Sequence, residues 1–188
     1  MLKEKQRTKL LIVLAAIFFL HLDAQAAAVE DIPVQGTPVI TEKDAAAIER
    51  IPGAVVDLFK QKGGHILFVS SPLEKRYGSF DFKVYGLYYQ PTHRIYIRNG
   101  AEFGGVLAHE LGHFLYCDTY PSWPQKSRGI ICKYGGDDPN EYFAQAYSSY
   151  CAYGSSGSPD IDSVIEAVNL TAEKLLEKTK GLGIAFKP

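Results

Sequence analysis

The run His109-Glu110-Leu111-Gly112-His113 limits this chain more than any other stretch, because its spacing is useful only on a helix. Residues four apart share one helical face, so both imidazoles can aim at a single metal ion while Glu110 projects beside them. Two imidazoles and a neighbouring carboxylate are what metal-assisted hydrolysis needs: the metal acidifies a water and polarises a carbonyl, and the carboxylate moves the proton. The segment from Phe103 to Tyr116 reads as the helix that carries the motif. Val106, Leu107, Leu111 and Phe114 supply its buried face, and Gly105 and Gly112 leave room for a close approach. Each glycine costs roughly 1 kcal/mol in a helix relative to alanine, so a local reason for both is expected. The same five residues can also arise on an amphipathic helix whose histidines merely cap or pack, so the context has to decide.

Residues 1–26 read as a secretory signal, with a basic start at Lys3, Lys5, Arg7 and Lys9, an apolar run from Leu10 to Leu20, and the small-x-small site Ala24-Gln25-Ala26. The run is short for a bilayer span, and an uncleaved anchor is the alternative. Cleavage would leave sixteen basic and nineteen acidic residues, a formal charge of −3, which offers no footprint for nucleic acid or an anionic membrane surface. Residues 27–40, with Pro33, Gly36 and Pro38, read as an extended leader. Residues 41–188 are enough for one domain with one core. Cys117, Cys132 and Cys151 match no zinc knuckle or redox motif. One disulfide with a buried thiol and three buried thiols both remain open.

Thr41-Glu42-Lys43-Asp44 resembles a capping box opening a short helix, and a second helix is expected from Val55 to Lys62, ended by Gly63-Gly64. His65 to Ser70 reads as the first strand, and Ser71 to about Ser79 as a polar loop. Asp81 to Tyr89 and Arg94 to Arg98 read as a hairpin around Gln90-Pro91-Thr92-His93. An edge strand beside the motif could bind an extended peptide by main-chain pairing. Tyr85, Tyr88, Tyr89 and Tyr96 either line such a groove or pack in the sheet. Pro121 to Pro124 marks a loop, and Arg128 to Tyr134 is of uncertain type. Asp138 is placed to cap a helix beginning at Pro139 and running to about Tyr150. After the loop Gly154 to Ser158, one amphipathic helix or a pair carries Ile161, Val164, Ile165, Val168, Leu175 and Leu176 and ends at Gly181.

Two histidines leave a catalytic zinc site short of one protein ligand. Tyr116 and Thr119 stand where a continued H-E-x-x-H-x-x-G-x-x-H pattern needs glycine and histidine, which excludes that class. Asp118 falls off the ligand face, and His65 and His93 lie by strands or turns. Glu141 is the better candidate, from a second helix after a loop of suitable length. A first-turn glutamate can equally favour the helix dipole or close a capping box with Asp138.

The motif, Tyr134 and Asn140-Glu141-Tyr142-Phe143-Ala144-Gln145-Ala146 together resemble the anthrax lethal factor-like catalytic domain and, within it, the secreted Pro-Pro endopeptidases. The likeness spans roughly residues 41 to 180. It implies an α+β, zincin-like fold with a small, mostly antiparallel sheet, the motif helix and C-terminal helices. It also implies that Glu141 is the third zinc ligand and that Tyr134 stabilises the tetrahedral intermediate, as a neutral phenol can. One departure is Gln145, where the family usually has a carboxylate one turn after the ligand. An amide there keeps an acceptor for a zinc-bound histidine but loses charge.

The expected protein is thus a secreted, monomeric zinc endopeptidase with one Zn²⁺ per chain on His109, His113 and Glu141. Glu110 serves as general base, Tyr134 acts on the oxyanion, and Gln145 lies behind the ligands. Its substrate would be an extracellular protein or peptide, cut next to proline if the resemblance extends so far. A zinc-stabilised binding or toxin-like module and an amidase acting on envelope material are the alternatives.

Overall fold

The computed structural model describes residues 41–69 and 85–181. The signal, the leader, the Ser71 to Ser79 loop and the start of the expected Asp81 strand lie outside them. Helix α1 (Glu42–Arg50) opens with the expected capping box, and α2 (Gly53–Gln61) buries Val55, Leu58 and Phe59 at helical spacing. Strand β1 (His65–Val69) follows; β2 (Gly86–Tyr89) and β3 (Arg94–Arg98) flank a one-turn 3₁₀ segment at Gln90–Thr92. The remaining helices are α3 (Phe103–Thr119), α4 (Gln125–Gly135), α5 (Pro139–Tyr153) and α6 (Pro159–Gly181). The architecture is α+β, and no helix among the described residues is long and apolar enough to cross a membrane.

The sheet has the order β1-β3-β2, with β1 parallel and β2 antiparallel to β3, so it is mixed rather than mostly antiparallel. The hairpin accounts for the antiparallel pair. The chain between Val69 and Arg94 is long enough to return β3 alongside β1 in the same direction, which a tight turn could not do. Ile95, Tyr96 and Ile97 are buried in succession, as a central strand requires, and among the described residues β2 is an edge.

Helix α3 is the centre of the fold and packs most extensively on α5, then on α1 and on β2. It runs one turn beyond the expected Tyr116 and buries Phe103, Leu107, Leu111, Phe114 and Leu115. Glu102, which precedes it, makes no side-chain cap. The cap comes from Asp44, whose Oδ1 accepts from the Gly104 N–H at 2.7 Å while Oδ2 accepts from the Thr41 N–H at 2.9 Å and the Thr41 hydroxyl at 2.7 Å. One buried carboxylate thereby closes the N-termini of two helices, each of which favours negative charge.

The segment of uncertain type is helix α4, in which only Ser127 and Ile131 are buried. Two buried positions on an otherwise polar helix leave little periodic trace. The C-terminal segment is one helix, with Ile161, Val164, Ile165, Val168 and Leu176 buried. Cys117, Cys132 and Cys151 are free thiols, half-buried, exposed and buried respectively.

Candidate metal centre

On α3 the rings of His109 and His113 stand nearly perpendicular, 4.7 Å between centroids, with their Nε2 atoms 3.1 Å apart. Helix α5 starts opposite them. Asp138 caps it by accepting from the Glu141 N–H at 3.0 Å, which fixes the first turn and aims the Glu141 side chain across the gap. Glu141 Oε1 lies 3.2 Å from His109 Nε2 and Oε2 lies 3.2 Å from His113 Nε2. The carboxylate therefore faces the imidazoles instead of closing a box with Asp138.

The two helices approach closely because residue 112 has no side chain: a Cβ there would stand 2.7 Å from Ala144 Cα. Gly105, expected to serve the same purpose, meets nothing nearer than 4.0 Å.

Donor atoms of His109, His113 and Glu141 gather within 4.8 Å of one another. In a tetrahedral shell with bonds of about 2.0–2.1 Å, neighbouring ligand atoms are about 3.3–3.4 Å apart. The Nε2–Nε2 separation of 3.1 Å, and each imidazole's 3.2 Å approach to a different Glu141 oxygen, are close to that edge length, and the group faces the cleft. Two imidazole nitrogens and a carboxylate oxygen are donors that suit zinc. The residues present could hold a zinc ion.

The electrostatics follow from packing. Glu110 is 4% exposed, and burial pushes its carboxyl above the usual range against the opposing pull of His109, His113 and the Tyr88 backbone N–H. A carboxylate shifted upward binds a proton more readily, which suits a group that must take one from water and release it later. Glu141 is held far below the usual range by its hydrogen bonds to His109 and His113. For His113, burial lowers the pKa, but the bonds to Glu141 and Asn140 and the charge of Glu110 outweigh it and the net shift is upward.

Asn140 is the residue that sequence reasoning missed. Its Oδ1 lies 3.0 Å from His113 Nδ1, so a proton on Nδ1 leaves the Nε2 lone pair facing the cluster. The available signal was its place next to Glu141, together with the need of any ligating histidine for an acceptor behind it. Gln145 is one turn further along α5, exposed on the cleft wall, and among the described residues no hydrogen bond joins it to either imidazole. The amide behind the histidines is therefore Asn140 rather than Gln145.

Tyr134 is not brought to the cluster. It is 43% exposed near the end of α4, its hydroxyl 3.2 Å from Asp160, and it does not line the cleft. His65, His93 and Asp118 also lie outside the donor cluster, as the sequence suggests.

The cluster opens into a cleft of about 750 Å³ walled on one side by Tyr85 and by Gly86 to Tyr88 of β2 and on the other by Asn140, Glu141 and Gln145. Of the tyrosine band, Tyr85 and Tyr88 line the cleft, whereas Tyr96 is buried in a small core with Val69.

No family model and no curated protein matches this chain. Among solved structures, the chain is similar to the Pro-Pro endopeptidase from Paenibacillus alvei, with 19% identity over 77% of this chain and 95% of that one and a TM-score of 0.41.

Proposed function

We propose that this chain is an exported, zinc-dependent endopeptidase of the zincin type. The observation that carries the reading is the cluster of three donor side chains with the buried Glu110 carboxylate beside them, in a cleft walled by β2, an edge strand among the described residues. His109, His113 and Glu141 would hold one Zn²⁺ per chain. Bound there, zinc supplies a Lewis acid that polarises the scissile carbonyl and acidifies water.

The rest is done by the chain's own groups. Glu110 takes the proton from the attacking water and passes it to the departing amine. Asn140 keeps His113 in the tautomer that ligates. In an antiparallel pair the backbone groups of alternate residues turn away from the partner strand. Arg98 N–H bonds Tyr85 C=O, so Gly86 and Tyr88 are the residues of β2 whose peptide groups face outward; with the Tyr88 N–H turned to Glu110, the Gly86 groups and the Tyr88 C=O are those an extended substrate can pair with. The oxyanion role implied for Tyr134 requires its phenol to leave Asp160. That hydrogen bond is exposed, and Lys133 Nζ stands over the ring at 5.3 Å, so both contacts would have to give way. A peptide substrate, a preference for bonds beside proline and export through residues 1–26 belong to the same proposal.

The test is mass spectrometry of a proline-rich peptide library incubated with zinc-loaded protein spanning residues 27–188, with Glu110→Ala alongside. Cleavage in the first sample and none in the second is expected. A zinc-loaded protein that leaves the library intact would overturn the peptidase reading and direct attention to envelope amides.

A further inference from the structure

Tyr88 touches the reaction site with its backbone and a separate polar cluster with its side chain. Its backbone lines the cleft beside Glu110, and its outward N–H helps to hold down the pKa of that carboxyl. Its phenol is engaged elsewhere, donating to Asp118 Oδ2 at 2.5 Å and lying 2.8 Å from His93 Nδ1. A phenol has one proton, so with Asp118 as its acceptor the bond to His93 requires the imidazole proton on Nδ1.

The three residues come from three places. Tyr88 is on the edge strand and His93 follows the turn after it. Asp118 is on α3, five positions past His113. The Asp118 side chain is 8% exposed, with Lys62 Nζ 3.8 Å from Oδ1 and His93 Nδ1 3.6 Å from the same oxygen. The Tyr88 ring meets Phe114 of α3 edge-on at 6.0 Å. His93 has φ of 48°, an uncommon region for a residue with a side chain, occupied where the surroundings hold it. Gln90 adds a bond to the Cys117 carbonyl at 3.4 Å. At the other end of β2 the fit is equally close: a Cβ on Gly86 would stand 2.5 Å from Glu110 Oε1 and 2.6 Å from Val106 Cγ1. The strand is thus fastened to the motif helix beyond the metal ligands and pressed against it at Glu110.

Neither metal binding nor proton transfer uses the Tyr88 phenol, the His93 ring or the Asp118 carboxylate. We propose that these three are positioning residues, a clamp that holds β2 against the Glu110 side chain and so fixes where that carboxylate stands. The role rests on the peptidase reading of the site. It predicts a loss in kcat, because a reacting group displaced by about 1 Å can cost up to about 100-fold in rate.

The experiment compares Tyr88→Phe, Asp118→Ala, the double variant and Asp118→Asn as zinc-loaded protein. It measures kcat, KM, zinc stoichiometry and hydrogen exchange of the amides of residues 86–89. Tyr88→Phe and Asp118→Ala should each lower kcat about 10- to 100-fold with KM and zinc content little changed. The double variant should be no slower than either single one, since both remove the same tie. Asp118→Asn keeps an acceptor for the phenol and should recover most of the rate. Exchange of the β2 amides should quicken in Tyr88→Phe while that of β1 does not. Wild-type kcat in either single variant, or losses that multiply in the double one, would overturn the clamp. If wild-type protein cleaves nothing, the peptidase reading fails on its own terms. The exchange rates then decide the clamp, which unchanged protection in Tyr88→Phe would refute.

Discussion

Replacing Gly112 by alanine puts a methyl carbon 2.7 Å from Ala144 Cα and 3.3 Å from both Ala144 Cβ and Tyr147 Cβ. Ordinary contact begins near 3.4 Å, so α5 must withdraw by about 0.7 Å at Ala144. Backbone cannot rotate aside as a long side chain would, and forced overpacking typically costs about 1–3 kcal/mol. Alanine returns about 1 kcal/mol of helix propensity, leaving a net loss of roughly 0–2 kcal/mol that need not unfold the protein. The effect on the metal is sharper. Glu141 lies one turn before Ala144 on the same helix and moves with it, whereas donor distances in a metal site tolerate only about 0.2 Å. Zinc affinity should therefore fall at least about ten-fold, measured by competition with a chromophoric chelator, while the circular dichroism spectrum stays that of the wild type. Wild-type affinity in Gly112→Ala would refute the argument that this contact sets the ligand geometry.

Asp44→Ala removes the cap of two helices at once and should destabilise by about 2–4 kcal/mol in urea titrations; a change under 1 kcal/mol would mean that water replaces it freely. Asn140→Ala should weaken zinc binding about 10- to 100-fold while Gln145→Ala leaves it within about three-fold, and the reverse order would return the supporting role to Gln145. In the metal-free protein, His113 has a folded pKa above its ordinary 6.5. A raised pKa contributes stability that is complete below the unfolded value and is lost as pH rises through the folded one. Glu110, raised above 4.5, acts in the same direction. Glu141 is depressed, so its contribution is already complete above 4.5 and disappears only in acid. The metal-free protein should lose stability between about pH 6 and pH 8 in urea titrations, and greater stability at pH 8 would contradict these assignments.

The legible parts of this chain were those governed by local chemistry. The Thr41–Asp44 box, the Asp138 cap with Pro139 after it, and the β2–β3 hairpin are each written in a few adjacent residues. The cluster of His109, His113 and Glu141 was legible because i, i+4 spacing fixes two donors on one face and a helix N-terminus supplies the third. What escaped depends on contacts distant in sequence. Nothing local says that β1 pairs parallel to β3, or that Asp44 caps a helix sixty residues away. The Tyr88–Asp118 bond likewise joins a strand to a helix, and neither residue has a sequence context that marks it. Gln145 was singled out by resemblance, yet which amide reaches an imidazole is set by how two helices meet. Tyr134 is placed by its contact with α6 through Asp160, a partner that the local sequence does not reveal.

The most direct test of the whole account is zinc K-edge X-ray absorption on wild-type protein and on Glu141→Ala, each with metal content measured. The account predicts one zinc per wild-type chain in a shell of nitrogen and oxygen at about 2.0–2.1 Å, and loss of that zinc from the variant. A sulfur neighbour at about 2.3 Å, placing the metal on Cys117 of the same cleft, would contradict it, and so would full occupancy without Glu141.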